Sequence, residues 1–354
     1  MKNITFFINT LSAAGGTQRV LITLVNGLVE KYNITIIVLD DKKPFFKMKS
    51  EIKIKKIKSK WSIMPLSLID FNKQIFKELK DNLCDYYISL DSNSVMMQSL
   101  FMPKKTKLIV WEHFSLSKNF NKILFKISRY YASKRANKFV LLSQQEVKDW
   151  CSLYNIPSSK TSLIYNPITI DEELNYLEEE LYTNKKVLAI GNNIHVKGFD
   201  YLIKAWSLLD KNDWKLEIVG LSEKEQIKLH EIIDSYNIKN EIIINDRISN
   251  IKEKYLESSI YCLCSRMEAT PLVLIESQHI GLPAIVFDNC EGPLELLNNS
   301  GLIVKFDNVN KYAYALSQLI TSKEMYKELS NNARVNSQRF NNKTFYEKWI
   351  NVLN

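Results

Sequence analysis

Nine glycines and eight prolines among 354 residues are too few for a collagen-like or low-complexity chain. No apolar run approaches the roughly 18–20 residues that span a bilayer. The chain runs straight into a strand pattern at residues 4–8 with only Lys2 before it. That start offers no signal-peptide charge cluster and no small-residue cleavage site, so the expected location is the cytoplasm. Five cysteines (Cys84, Cys151, Cys262, Cys264, Cys290) are an odd number in a large chain and do not make a disulfide framework. Cys262 and Cys264 form a C-x-C within an apolar run, without a second Cys/His pair at ligand spacing. They read as buried strand cysteines rather than as a zinc site.

What is present is globular: 45% hydrophobic and 25% charged residues. The length suits two domains of roughly 150–200 residues each. The formal net charge of +9 is unevenly placed. Residues 1–168 carry 27 Lys/Arg and 12 Asp/Glu, whereas residues 169–354 carry 21 and 27. A basic half suggests a polyanionic partner. Its lysines are scattered through 42–60 and 104–138 with few arginines and no nucleic-acid-reading module. Nucleic acid is therefore not expected, and an anionic membrane surface is. The alternative, a solvated lysine-rich face, stays open.

Short apolar runs alternate with helix-period segments. Strand patterns fall at 4–8, 34–39, 86–90, 108–111 and 139–142, with a first helix at 18–30. The rhythm restarts after Tyr165-Asn166-Pro167-Ile168 and an acidic stretch at 171–180. Strands then fall at 187–190, 216–219, 241–244, 260–264 and 284–287, with helices at 199–209 and 223–236. The charge change and the restart coincide near 168. The expected architecture is α/β: two Rossmann-like, doubly wound parallel-sheet domains, 1–168 and 169–339, facing across a cleft. The aromatic-rich tail at 340–354 (Phe340, Phe345, Tyr346, Trp349) needs a partner and is expected to pack back on the first domain.

Four places carry candidate chemistry. Gly15-Gly16 lies between the first strand and helix, where amides can approach a phosphate. It fits neither G-x-G-x-x-G nor G-x-x-x-x-G-K-[ST], and a plain tight turn explains it equally well. His113, in Trp111-Glu112-His113, follows a strand and is one of only four histidines. It is a candidate acid, base or anchor, or a satisfied structural histidine. Lys197, in the run from Gly191 through Asn192 to Gly198-Phe199, sits where a strand ends and a helix begins. There it can neutralise a diphosphate or remain a solvated lysine. Glu268 and Glu276 stand eight apart around Pro271. With Pro271 in the helix's first turn, Glu268 lies in the preceding loop, Glu276 lies inside the helix, and the amides of 270–273 form an anion site. Carboxylates suit hydroxyl-rich ligands. A glycoside hydrolase pair would use two carboxylates but would not need the anion-binding loops.

At these residues the sequence resembles the retaining GT-B glycosyltransferases, in particular the large family four. The resemblance runs from Gly15-Gly16 with Gln18-Arg19-Val20, through Glu112-His113, Asn166-Pro167 and Lys197-Gly198-Phe199, to Glu268/Glu276. It continues in Gly281-Leu282-Pro283, Glu291-Gly292-Pro293-Leu294-Glu295 and Gly301-Leu302-Ile303-Val304. It implies a nucleotide-sugar donor, a glycan or lipid-linked saccharide acceptor, and no cofactor or metal. It places Gly16, beside Gly15, and Lys197 at the donor diphosphate. Glu268 falls at the sugar hydroxyls, Glu276 at the ribose, and Arg247 and Ile248 at the base. The stretch Thr270, Pro271, Leu272 and Val273 stays the anion site read from the residues themselves, and the resemblance puts His113 beside the transferred sugar. The leaving phosphate deprotonates the acceptor on the same face, which gives retention. The segment from Phe287-Asp288 to Gly292-Pro293 is similar to members that use UDP-sugars, including N-acetylhexosamine transferases.

Two positions depart from the family pattern. Asn192 stands where an Arg usually shares the diphosphate, and Ala269 where a Gly commonly follows the first Glu. Lys185, Lys186 and Arg266 are candidate replacement cations. The leading expectation is a retaining, metal-independent hexosyltransferase on the inner face of a bacterial membrane, building surface polysaccharide or glycoconjugate. The alternatives are a catalytically weak partner subunit, or a nucleotide-sugar epimerase or hydrolase on the same fold.

Overall fold

The structure is a computed structural model that describes residues 1–58, 66–116, 123–170, 178–211, 213–248 and 250–354. Most of the acidic stretch at 171–180 lies outside the described residues. The chain forms two compact units, Met1–Asn166 with Asn342–Asn354, and Pro167–Asn341.

Unit 1 begins with β1 (Lys2–Phe7), α1 (Gly16–Leu28), β2 (Tyr32–Val38), β3 (Lys53–Lys56) and α2 (Leu66–Asp81). It continues with β4 (Tyr86–Ser89), α3 (Val95–Ser99), β5 (Lys107–Trp111), α4 (Ile123–Arg135), β6 (Lys138–Leu141), α5 (Gln144–Tyr154) and β7 (Thr161–Leu163). The seven strands pair in parallel in the order β3-β2-β1-β4-β5-β6-β7. The chain steps one way from β1 to β3 and the other way from β4 onward. Right-handed crossovers therefore put α1 on one face and α2 to α5 on the other. The latter face buries Ile37, Tyr87, Val110, Phe139 and Trp150.

Unit 2 begins with α6 (Glu178–Thr183), β8 (Lys186–Ile190), α7 (Ile194–Lys197), α8 (Phe199–Ser207), β9 (Lys215–Val219) and α9 (Glu223–Ser235). Next come β10 (Ile242–Asn245), α10 (Ile251–Leu256), β11 (Ile260–Leu263), α11 (Leu272–Ile280) and β12 (Ala284–Phe287). The unit ends with α12 (Glu291–Leu297), β13 (Gly301–Val304), α13 (Val309–Thr321) and α14 (Lys323–Ser337). Its six strands run parallel in the order β10-β9-β8-β11-β12-β13. The last helix, α15 (Asn342–Leu353), belongs to unit 1. The Tyr346 hydroxyl donates to the Thr23 carbonyl of α1 at 3.1 Å, and Trp349 meets Trp111 edge-on with ring centres 4.7 Å apart.

The observed strands begin or end within two residues of the expected ones. Three were not expected. β3 reads Lys-Ile-Lys-Lys, is exposed throughout and lies at the sheet edge, where lysines deter pairing with other chains. β7 and β13 are edge strands of three and four residues. Pro271 also differs from expectation: it precedes the first turn of α11 and caps it in extended conformation. Having no N–H, it contributes no donor to the anion site expected there.

Candidate active site

In an open parallel sheet, ligands bind at the carboxyl ends of the strands, where the strand order reverses. In unit 2 that reversal lies between β8 and β11. The chain leaving β8 forms the one-turn α7, capped by the Asn193 side chain accepting from the Val196 amide at 2.8 Å. Gly198 then turns the backbone into the left-handed region, with φ of 66°. A Cβ there would overlap the Cys264 carbonyl, so α7 lies hard against the end of β11. A Cβ on Gly191 would overlap the Lys197 stem. These two glycines set where the lysine can lie.

The chain leaving β11 supplies the partner. Lys197 Nζ is 2.6 Å from Glu268 Oε1, which also accepts from the Ser265 hydroxyl at 2.7 Å. The Glu268 amide donates to Cys290 Sγ at 3.3 Å. The loop is stitched to α7 from behind. Its Arg266 amide donates to the Val196 carbonyl at 2.9 Å, and the Arg266 guanidinium reaches the His195 carbonyl at 2.7 Å. The same guanidinium holds both carboxylate oxygens of Asp200 at 2.7 and 2.6 Å and lies 4.0 Å over the Tyr201 ring. Burial pushes the Asp200 carboxyl up, but the Arg266 pair outweighs it and leaves the group below its ordinary range. The other two candidate replacement cations also have acidic partners. Lys185 faces Asp213 at 4.0 Å, and Lys186 holds Glu217 and Glu257 at 3.0 and 3.3 Å. Asn192 is exposed.

Glu276 lies inside α11 with no exposed surface. Its Oε2 accepts from the Tyr255 hydroxyl at 2.8 Å, and its Oε1 from the Thr169 hydroxyl. Leu272 and Val273 open α11, and Thr270 precedes its Pro271 cap. Arg247 and Ile248 follow β10, with Arg247 exposed and its amide donating to Asp246 at 2.7 Å. Cys262 and Cys264 are buried; burial pushes the Cys262 thiol up to about 12 and the Cys264 thiol up as well.

In unit 1 the reversal lies between β1 and β4. Gly15 caps α1 and Gly16 is its first residue, at the end of the loop that follows β1. His113 follows β5 and packs at a tilt against Trp111, ring centres 4.5 Å apart. Its Nε2 is buried without a partner, and burial lowers its pKa to about 3, so the ring is neutral. Its neighbour in the chain, Glu112, belongs to the same sequence motif but carries no role in the sequence expectation. Glu112 is fully buried and accepts from the Ser92 and Phe114 amides at 3.3 and 3.1 Å. Burial, then the Asp91 carboxylate, pushes Glu112 up to about 7, partly offset by those amides and Arg129. Arg129 is itself fully buried, with NH1 on the Leu116 carbonyl at 2.8 Å. The available signal was the residue type: an arginine among lysines is the cation suited to burial. Unit 1 also has a cavity of about 310 Å³ where β1, β2 and β3 end, lined by Phe7, Asn9, Leu39, Ile57, Phe71 and Met97 among others.

Two Rossmann-like units, each with candidate ligand groups beyond its strand ends, define the class as a two-domain α/β protein suited to binding a ligand there, and the fold by itself assigns no reaction. The comparisons narrow this. Residues 14–172 match the family described as "Glycosyltransferase Family 4", and residues 177–336 that described as "Glycosyl transferases group 1". An uncharacterized glycosyltransferase of Haemophilus influenzae is 30% identical over the whole of both chains. The amylovoran biosynthesis glycosyltransferase AmsD of Erwinia amylovora is 28% identical, also over both whole chains. An N-acetylgalactosaminyltransferase of Campylobacter jejuni, named for a saccharide acceptor on diphospho-undecaprenol, is 28% identical over 100% of this chain and 98% of its own. Among solved structures, an S. aureus TarM variant in complex with UDP and alpha-GlcNAc-glycerol has a TM-score of 0.84 at 15% identity, with both chains fully covered. Anabaena HepE in complex with UDP-glucose has a TM-score of 0.82 at 16% identity, covering 100% of this chain and 99% of that one. The chain belongs to the family four glycosyltransferases and has their GT-B fold.

Proposed function

We propose that this glycosyltransferase moves a hexose or N-acetylhexosamine from a UDP-sugar to a lipid-linked saccharide, with retention and without a metal, in surface polysaccharide or glycoconjugate assembly. The observation that carries the reading is the Lys197–Glu268 pair at the strand reversal of unit 2, 2.6 Å apart. One cation and one carboxylate stand together where a sugar diphosphate needs both. Lys197 neutralises the diphosphate as the bond to the sugar breaks. Glu268 accepts from the sugar hydroxyls. A ribose hydroxyl takes the place of the Thr169 hydroxyl on Glu276, Arg247 and Ile248 meet the base, and the amides of Leu272 and Val273 face the anion. In unit 1, Gly15-Gly16 offers amides at the start of α1. Neutral His113 orients the sugar as an uncharged hydrogen-bonding group. The leaving phosphate takes the acceptor proton. The acceptor class is supported by the Campylobacter relative's name, and the donor class by the UDP and UDP-glucose in the two fold neighbours.

The test is UDP release from a panel of UDP-sugars, with the anomeric configuration of the product read by NMR. Release with one sugar and a retained anomer supports the reading. An inverted product, or release only with another nucleotide, contradicts it. A second reading, a weak partner subunit, is favoured by exposed Asn192 and by the acidic partners of Lys185, Lys186 and Arg266. A missing charge-assisted contact costs about 1.5–3 kcal/mol. If this second reading holds, Asn192→Arg creates turnover that the parent chain lacks.

A further inference from the structure

Both oxygens of the buried Glu276 accept from hydroxyls, and the two donors are of different kinds. Tyr255 is fully buried on α10, its hydroxyl 2.8 Å from Oε2. The residue before it, Lys254, holds the fully buried Glu217 of β9 at 2.8 Å. That ion pair clamps α10 to the sheet and makes Tyr255 a fixed donor. Thr169 donates to Oε1 from outside any helix or strand and is partly exposed. Its neighbours are pinned: Ile168 and Ile170 are buried, and the Ile168 amide donates to the Phe340 carbonyl at 2.9 Å. The backbone at 169 is thereby held, while the side chain can turn. Rotation about χ1 carries the threonine hydroxyl from one staggered position to another without moving the chain.

Of these two donors only Thr169 reaches the surface, so a ligand approaches the carboxylate from the threonine side. Leaving a buried acceptor unpaired costs more than an average hydrogen bond contributes. Tyr255 satisfies Oε2 at all times. Oε1 needs a donor both when a ligand is present and when it is absent. Threonine carries a secondary alcohol, as the hydroxyl-bearing carbons of ribose do, and each such group donates one proton.

We propose that Thr169 is a stand-in for the ribose. Its hydroxyl holds Glu276 Oε1 while no nucleotide is bound, yields to a ribose hydroxyl on binding, and returns as the nucleoside diphosphate leaves. The inference rests on the functional reading above, which puts the ribose at Glu276. Its consequence is that Glu276 selects for a ribose hydroxyl while adding little net affinity, since one hydrogen bond replaces another. Departing UDP never strands a buried carboxylate, and the site lets go of its product.

The test is calorimetry of the full chain with UDP and with a dideoxy analogue whose ribose lacks both hydroxyls. Thr169→Val keeps the shape of the side chain and removes its hydroxyl. It is expected to bind UDP about fivefold or more tighter than the parent, because the ribose then supplies a donor that the free protein lacks. The gain is expected in a slower dissociation rate, read by stopped-flow displacement. The dideoxy analogue cannot replace the hydroxyl and is expected to gain nothing. Thr169→Ala is expected to act in the same direction, and Thr169→Ser to restore the parent affinity. Tyr255→Phe removes a donor that the ribose does not replace, so it is expected to lower the melting temperature without tightening UDP. Unchanged or weaker UDP binding by Thr169→Val overturns the proposal, as does an equal gain for the dideoxy analogue. Glu276→Gln separates this inference from the reading beneath it. If that variant keeps the full preference for UDP over the analogue, the ribose is not held at Glu276 and the functional reading fails there. If the preference falls but Thr169→Val binds UDP no more tightly, the stand-in alone fails.

Discussion

Lys197 and Glu268 hold each other, half-buried, in the proposed site. A diphosphate would compete with Glu268 for the ammonium, so the two residues make opposite contributions to UDP binding. Lys197→Ala is expected to weaken UDP binding about tenfold or more by calorimetry, since a charge-assisted contact is worth about 1.5–3 kcal/mol. Glu268→Gln is expected to leave UDP binding equal or tighter, because it releases Lys197, while abolishing sugar transfer. Parallel losses of UDP affinity in both variants would contradict the assigned roles. A second residue-scale expectation concerns Glu112. Burial and Asp91 raise its pKa to about 7 in the folded state, against an ordinary value near 4.3 when unfolded. Below the unfolded value both states hold the proton. Between the two values only the folded state does, so this contribution to stability is lost as pH rises through 7. Glu112→Gln removes the effect. Its melting temperature relative to the parent is expected to be higher at pH 8 than at pH 5, the difference reflecting about 3 kcal/mol. A pH-independent difference would contradict the raised pKa.

At the scale of elements, the pieces that position the site were legible, and the edges were not. β8 and β11 carry dense apolar runs because both faces of a parallel sheet are covered. Their loops could therefore be placed at strand ends from sequence alone. β3, β7 and β13 lie at or beside sheet edges, where half the apolar signal is missing. Lys197 and Glu268 were readable as residues, but not as a contact, because they are 71 positions apart in the chain. The Glu112–Arg129 neighbourhood was hidden for the same reason. α4 shows the converse: its apolar residues have helical spacing, which sequence reading assigns to a core, and the fold turns them outward. Gly198 shows how tightly the site elements are fitted. Its left-handed backbone and the Cys264 carbonyl both exclude a side chain. Gly198→Ala is expected to destabilise unit 2 by roughly 2 kcal/mol or more and to weaken UDP binding by shifting α7. A variant with unchanged melting and UDP affinity would show that α7 is not held as described.

At the scale of the whole molecule, the chain passes between its two units twice, after Asn166 and after Asn341, and the last twelve ordered helical residues serve the first unit. Unit 2 is complete between those crossings. The amide of Ile168 donates to the Phe340 carbonyl at 2.9 Å, tying its two ends together, and its core, around Trp206, Tyr312 and Leu316, draws no residue from α15. Unit 1 is not complete without the terminus. Trp111, directly before the Glu112-His113 pair, packs on Trp349 and Phe345, and Lys2 donates to the Leu353 carbonyl at 2.8 Å. Losing one large buried aromatic typically costs about 3–5 kcal/mol, and α15 contributes two. A chain ending at Asn341 is therefore expected to lose the melting transition of unit 1 while keeping that of unit 2. UDP is expected still to raise the surviving transition by mass action, and most of the UDP affinity is expected to remain, with sugar transfer gone. Calorimetry of the full and shortened chains, each with and without UDP, checks this. A shortened chain that no longer responds to UDP would mean that the nucleotide is not held chiefly by the groups of unit 2, and the roles given to Lys197, Glu276 and Arg247 would fall together.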